Sequence, residues 1–237
     1  MKFDKSQLLI YAVTDRSWTG SMSLYEQTEA ALKGGATMVQ LREKGLRDDN
    51  VEEYLEEAKK MRALTEKYNV PLLIDDNIKL AGLCGADGVH VGQNDMDAGL
   101  ARKLLGPSKI LGVTAKTVEQ ALKAQSQGAD YLGSGAVFGT STKKDARPMT
   151  MEQLQAICAS VSIPVVAIGG ICLDNIEKLK GSGAVGAAIV SGIFAYEKIS
   201  KYIQKNKDRK ILLIELGVGR MTPMFIQEPF WELTNSL

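Results

Sequence analysis

Eight short apolar runs, each followed by a polar stretch, constrain this chain more than any other feature of it. They are residues 8–15 (LLIYAVTD), 38–43 (MVQLRE), 72–77 (LLIDDN), 88–93 (GVHVGQ), 110–115 (ILGVTA), 131–138 (YLGSGAVF), 165–170 (VVAIGG) and 187–192 (AAIVSG). All have strand length, and several are rich in Val and Ile, the pattern of strands buried on both faces. The stretches between them read as amphipathic helices. In residues 49–68, for example, Val51, Leu55, Ala58, Met61 and Leu64 recur three and four positions apart. Eight strand–helix alternations describe a parallel sheet closed into a (β/α)8 TIM barrel, an α/β fold that a chain of 237 residues accommodates as one domain. An open doubly wound sheet is also parallel, but the first run is followed by no G-x-G-x-x-G.

A coarse repeat supports the count. The dipeptides Gly35-Ala36, Gly85-Ala86, Gly128-Ala129 and Gly183-Ala184 each precede an even-numbered run. Glycine there ends the preceding helix, because it takes the left-handed conformation without a Cβ clash. The alternation occupies residues 1–205. Residues 206–237 form a C-terminal extension whose KILLIELGVG stretch reads as one further strand.

Lys and Arg number 29 against 28 Asp and Glu, a net charge of +1. No global field draws the chain to nucleic acid or anionic membranes, so any anion site must be a local cluster. Cys84, Cys158 and Cys172 form no C-x-x-C pair, and no stretch reaches transmembrane length. A soluble, cytoplasmic protein is expected, and homo-oligomerisation is left open.

In a parallel barrel the chemistry sits where the strands end. Gln40, Arg42 and Lys44 alternate at the end of the second run, which puts them on one face. Polar groups at successive inward positions imply an anion, with Arg42 the firmer member and Lys44 open to solvent as the alternative. The third run ends in Asp75-Asp76-Asn77 and the fourth is followed by Asp95. Adjacent carboxylates repel unless solvated or bound to a cation. Oxygen ligands on neighbouring strands suit Mg²⁺ bridging a diphosphate. His90 reads as a packed strand residue rather than a metal ligand. After the sixth run, Thr140, Ser141, Thr142, Lys143 and Lys144 bring hydroxyls and ammonium groups that can wrap a phosphate. Gly169-Gly170 after the seventh run and Val190-Ser191-Gly192 after the eighth stand where this fold often holds a phosphate. The residues therefore describe a barrel enzyme with two anion sites, one for a diphosphate through Mg²⁺ and one for a monophosphate.

With these motifs in this order, the chain resembles the thiamine-phosphate synthase (thiamine-phosphate pyrophosphorylase) family over residues 8–200. The motifs are QLREK at 40–44, LLIDDN at 72–77, GADGVHVGQND at 85–95, LGVTAKT at 111–117, GADYLGSGAVFGTSTKK at 128–144, VVAIGGI at 165–171 and VSGIF at 190–194. The resemblance implies a transferase that joins 4-amino-5-hydroxymethyl-2-methylpyrimidine diphosphate to 4-methyl-5-(2-hydroxyethyl)thiazole phosphate, giving thiamine phosphate and pyrophosphate. It implies that Gln40, Arg42 and Lys44 hold the pyrimidine diphosphate with Asp75, Thr114 and Lys143. Asp76 and Asp95 would bind Mg²⁺, and Thr140, Ser141, Thr142, Gly170, Val190 and Ser191 would hold the thiazole phosphate. Arg42, Lys44 and Lys143 would meet the charge of the leaving group. Asp75 stands where the family commonly has Asn, and Thr114 where it often has Ser. A thiazole tautomerase relative is the nearest alternative, but it typically loses the carboxylate after the fourth strand and the Thr-x-Thr pattern that this chain keeps. A non-catalytic phosphate-binding protein is the other. The tail weakly resembles the closing segment of sirtuin-type proteins, with neither their Cys₄ zinc site nor their dinucleotide glycine motif, so no deacylase activity is expected.

Overall fold

Strand pairing decides the architecture. In the computed structural model, which describes residues 3–19, 22–43, 51–139 and 148–195, eight strands pair in parallel and in chain order. They are β1 (Ile10–Val13), β2 (Met38–Leu41), β3 (Leu72–Asp75), β4 (Gly88–Val91), β5 (Ile110–Thr114), β6 (Tyr131–Gly135), β7 (Val165–Ile168) and β8 (Gly186–Ile189). β8 also pairs with β1, Tyr11 opposite Ala188, which closes the barrel. All eight runs read from the sequence are strands of this sheet. The first strand starts later than its run, because Lys5–Leu8 forms a 3-10 turn capped by Asp4. Seven helices lie among the described residues: α1 (Leu24–Lys33), α2 (Val51–Lys67), α3 (Ile78–Cys84), α4 (Ala98–Leu105), α5 (Val118–Ser126), α6 (Met151–Ser160) and α7 (Ser191–Phe194). Between β7 and β8 stands only a 3-10 turn at Ile176–Leu179.

Period two divides each strand between two cores. Val39 and Leu41, Leu72 and Ile74, Val89 and Val91 face the helices. Tyr11, Met38, Leu73, Ile110, Tyr131 and Val166 fill the barrel. The stripe on α2 departs from the sequence reading. Tyr54, Ala58, Met61 and Leu64 are buried, Leu55 is half-buried, and Val51 is 59% exposed. Tyr54 lies four positions before Ala58 and so shares its face, while Val51 is the first residue of the helix and stays exposed.

The glycines before the even-numbered strands all have positive φ, at 90° for Gly35, 71° for Gly85, 90° for Gly128 and 87° for Gly183. The residue after three of the four Gly-Ala pairs extends the repeat beyond what the sequence reading used. Thr37 Oγ1 accepts the Ile10 N–H at 2.9 Å, Asp87 accepts that of Leu72 at 2.9 Å and Asp130 that of Leu111 at 2.7 Å. Each side chain thereby fastens the strand before its own. Arg62 of α2 pairs with Asp87 and donates to the Gly85 carbonyl, and Arg102 of α4 does the same with Asp130 and Gly128. Two helix–turn–strand units share one solution, and the strand register rests on it.

Inside the barrel, two tyrosines and a histidine need room that glycine supplies. A Cβ on Gly112 would collide with the Tyr131 ring and with His90, and one on Gly133 would stand 3.0 Å from His90 Cε1. Gly82 on α3 faces open space. Gly112→Ala is expected to lower the unfolding free energy by about 2 kcal/mol or more through overpacking. Gly82→Ala should raise it by about 0.5–1 kcal/mol through lower unfolded-state entropy. Urea denaturation of both variants checks the pair.

Candidate active site

Because the eight strands are parallel, all their carboxyl ends open at one mouth. Gln40, Arg42, Asp75, Asp76, Asp95, Thr114, Gly170, Val190 and Ser191 therefore belong to one rim. Lys44, Thr140, Ser141, Thr142, Lys143 and the extension from residue 206 lie outside the described residues.

Arg42 follows β2 and stands between two carboxylates. Its Nη1 is 3.1 Å from Asp15 and its Nε 3.7 Å from Asp75, all three side chains being about nine-tenths buried. Its backbone N–H donates to Thr14 Oγ1 at 3.0 Å. The adjacent carboxylates Asp75 and Asp76 avoid each other by a turn of the chain. Asp75 is buried beside Arg42, so its counter-ion here is an arginine. Asp76 takes a φ of 55° and gives its N–H to the His90 carbonyl at 2.8 Å. That left-handed residue ends β3.

Beneath Arg42 runs a chain of hydrogen bonds. Gln40 Nε2 donates to the Tyr11 hydroxyl at 2.6 Å, which meets the Tyr131 hydroxyl at 2.9 Å. Tyr131 meets His90 Nδ1 at 2.9 Å, and His90 Nε2 meets Thr114 Oγ1 at 3.0 Å. The links come from β2, β1, β6, β4 and β5. Burial raises both phenols above their ordinary range and lowers His90 to about 4, the nearby Asp95 acting weakly the other way. His90 is neutral near pH 7 and lies in the barrel, consistent with a packed strand residue.

Asp95 sits in the β4–α4 loop with its carboxylate accepting the Gly92 N–H at 2.8 Å. Asp76 is half-exposed and Asp95 exposed. Among the described residues no group of three or more His, Cys, Asp or Glu is placed to hold a metal ion. Two carboxylates on neighbouring strand ends nevertheless fit Mg²⁺, which keeps several waters and takes substrate phosphates as further ligands. Across the mouth, the β7 loop is held down by Asn175, whose Nδ2 donates to the Gly170 carbonyl at 2.8 Å and whose Oδ1 accepts the Cys172 N–H at 2.9 Å. Gly169 and Gly170 have φ of 102° and 65°, and a Cβ on either would strike Ala136 or the 138–139 backbone. Their glycines are thus required by the neighbouring β6 loop. Val190 and Ser191 open the one-turn α7.

Several partners escaped the sequence reading. Asp15 ends its run as Asp75 does, and this parallel was available. Glu43 is 1% exposed and pairs with Arg16 at 2.8 Å, while Arg16 also reaches Glu57 of α2 at 2.6 Å. Burial pushes the Glu43 carboxyl up against the opposing pull of Arg16. Tyr11 and Tyr131 carried no signal beyond strand-forming character.

A family model described as thiamine monophosphate synthase matches residues 10–193. The chain belongs to the thiamine monophosphate synthase family. That match runs from the first residue of β1 into α7. A thiamine-phosphate synthase of Clostridium tetani is 46% identical over 192 residues, covering 81% of this chain and 90% of the relative. One of Alkaliphilus oremlandii is 47% identical over 198 residues, 84% of this chain and 93% of the relative. The solved structure of thiamine phosphate pyrophosphorylase from Pyrococcus furiosus superposes with a TM-score of 0.74 at 37% identity, covering 86% of this chain and 96% of that one. The barrel expected from the alternation is thus the fold of a solved member of the synthase family.

The half-buried histidine makes an acid prediction. Unfolded, it takes up a proton near its ordinary value of 6.5, and folded only near 4. Between those values the unfolded state binds more protons, so stability is present above pH 6.5 and is lost as the pH falls. Lowering the pH from 7 to 5 should reduce the unfolding free energy by about 2 kcal/mol. His90 is the sole histidine of the chain, so His90→Asn should remove this loss. Glu43, which acts with the opposite sign, is common to both proteins and cancels. Denaturant titrations at the two pH values measure the difference.

Proposed function

We propose that this barrel mouth joins 4-amino-5-hydroxymethyl-2-methylpyrimidine diphosphate to 4-methyl-5-(2-hydroxyethyl)thiazole phosphate, releasing thiamine phosphate and pyrophosphate. The observation that carries the reading is the meeting of Gln40, Arg42, Asp75 and Thr114 on one rim with the ends of β7 and β8, in a chain of the synthase family. Gln40, Arg42, Asp75 and Thr114 take the pyrimidine diphosphate together with Lys44 and Lys143. Thr140, Ser141, Thr142, Gly170, Val190 and Ser191 take the thiazole phosphate.

The bond that breaks joins the pyrimidine methylene carbon to the diphosphate oxygen, which leaves with the electron pair. The pyrimidinylmethyl cation that remains is stabilised by the ring's amino group. The thiazole nitrogen already holds a lone pair, so no general base is needed and the task is to place it against the cation. Departure requires positive charge where negative charge develops, which Arg42, Lys44 and Lys143 supply. In the free enzyme Asp15 and Asp75 hold the Arg42 guanidinium at the mouth, and the incoming diphosphate competes with them for it. Asp76 and Asp95 would hold Mg²⁺, which when bound neutralises diphosphate charge. Free Cys84 and Cys158 and the absence among the described residues of any helix able to cross a membrane agree with a cytoplasmic enzyme. Residues 206–237 are an appendage to this chemistry.

The test is pyrophosphate release with both substrates, with and without Mg²⁺. Asp95→Ala should lower Mg²⁺-dependent turnover by roughly a hundredfold or more with an unchanged circular dichroism spectrum; turnover at the wild-type rate would remove Asp95 from the metal site. Truncation before Lys210 should leave turnover within about threefold of wild type, a change of less than 1 kcal/mol in the barrier. A truncated protein that is folded but inactive would contradict the reading of the tail.

A further inference from the structure

The buried chain from Gln40 to Thr114 has a direction. A phenol or alcohol hydroxyl has one proton to give, and a neutral imidazole carries one N–H and one bare nitrogen. The Gln40 amide nitrogen can only donate, and it donates to Tyr11. For every hydroxyl proton to find an acceptor within the chain, Tyr11, accepting there, gives its own proton to the Tyr131 oxygen 2.9 Å away. Tyr131 in turn gives its proton to His90 Nδ1. The imidazole must then carry its proton on Nε2 and give it to Thr114 Oγ1. The Thr114 proton is the one left over, and it is free to point at a ligand. At the other end the Gln40 amide keeps its oxygen as an acceptor. With the proton on Nδ1 instead, Tyr131 would accept from both Tyr11 and His90 and its own proton would have no acceptor in the chain.

The two ends are Gln40 and Thr114, assigned above to the pyrimidine diphosphate, and the inference rests on that assignment. An aminopyrimidine offers an amine donor together with ring-nitrogen and phosphate-oxygen acceptors. We propose that Tyr11, Tyr131 and His90 are positioning residues that fix the polarity of this chain, so that Gln40 presents a carbonyl oxygen to the substrate's amino group and Thr114 presents a hydroxyl proton to one of its acceptors. The acceptor at Gln40 meets the group that gains positive character as the methylene carbon becomes cationic, so its orientation counts in the transition state. The five partners come from five strands, and Gly112 and Gly133 leave the space in which the rings meet. Burial at this depth favours a fully paired chain over any broken one.

The sole histidine of the chain makes the test direct. Nitrogen-15 NMR of the full chain labelled at histidine should show one neutral imidazole at pH 7 with its proton on Nε2. Tyr131→Phe should convert that signal to a mixture of tautomers. It should also raise the KM for the pyrimidine diphosphate about tenfold, as expected for one misdirected hydrogen bond, with the KM for the thiazole phosphate nearly unchanged. Tyr11→Phe, which removes the donor that commits the Tyr131 proton to His90, should raise the same KM and also admit the Nδ1 tautomer. A wild-type enzyme with the proton on Nδ1 overturns the proposal. So does a Tyr131→Phe enzyme whose two KM values rise together or not at all. A wild-type chain that releases no pyrophosphate refutes the synthase reading, and this inference with it; turnover with the wrong tautomer refutes the inference alone.

Discussion

Closure of the sheet is the constraint on which everything else in this protein depends. Once β8 pairs with β1, the inward positions of eight strands share a small fixed volume, and each side chain there is chosen against the others. Tyr11, Tyr131 and His90 occupy that volume near the mouth, and Gly112 and Gly133 are small because those rings are large. Closure also brings the polar atoms of these rings within reach of one another, beside the hydrophobic layer formed by Met38, Leu73, Ile110 and Val166. The result is a hydrogen-bonded chain that ends on Gln40 and Thr114 at the mouth.

Above that layer the mouth is governed by charge. Arg42 is nearly buried and lies between Asp15 and Asp75, so the cation that would meet a diphosphate has its counter-charges in place before any ligand arrives. Arg16, Glu43 and Glu57 make a second ion group one residue further along the chain, tying the β1 loop and α2 to the end of β2. Removing one member of a buried pair leaves the other charge without compensation, which makes these pairs devices for holding position more than sources of net stability. On the proposed function, a substrate anion replacing a carboxylate beside Arg42 would change partners in a site already built, with little reorganisation.

Much of the fold was legible in order. Period two and strand length identified the eight runs, and the Gly-Ala repeat marked where helices yield to even-numbered strands. The positive φ of Gly35, Gly85, Gly128 and Gly183 gives that repeat its reason. What the pattern did not disclose was its third member, because Thr37, Asp87 and Asp130 act on the N–H of a residue many positions earlier. The same limit applied to Val51, whose helical spacing was right and whose place on α2 was wrong for burial. At the site, Gln40, Arg42 and Asp75 could be picked out from their positions at strand ends, and Thr114 came only with the family resemblance. Asp15, Glu43, Arg16, Tyr11 and Tyr131 could not, since each matters through a partner on another strand or loop.

By itself, then, the amino-acid order determined the alternation, the end of the barrel where chemistry must gather and the residue types suited to anions, since periodicity, strand ends and side-chain chemistry are local properties. Only the tertiary structure decided that Asp75 answers to Arg42 while Asp76 turns away, that Gly169 and Gly170 make room for the β6 loop, and that a lone histidine sits between Tyr131 and Thr114. Those outcomes follow from closure, which brings strands distant in sequence within hydrogen-bonding reach, and no local pattern records which side chains will meet.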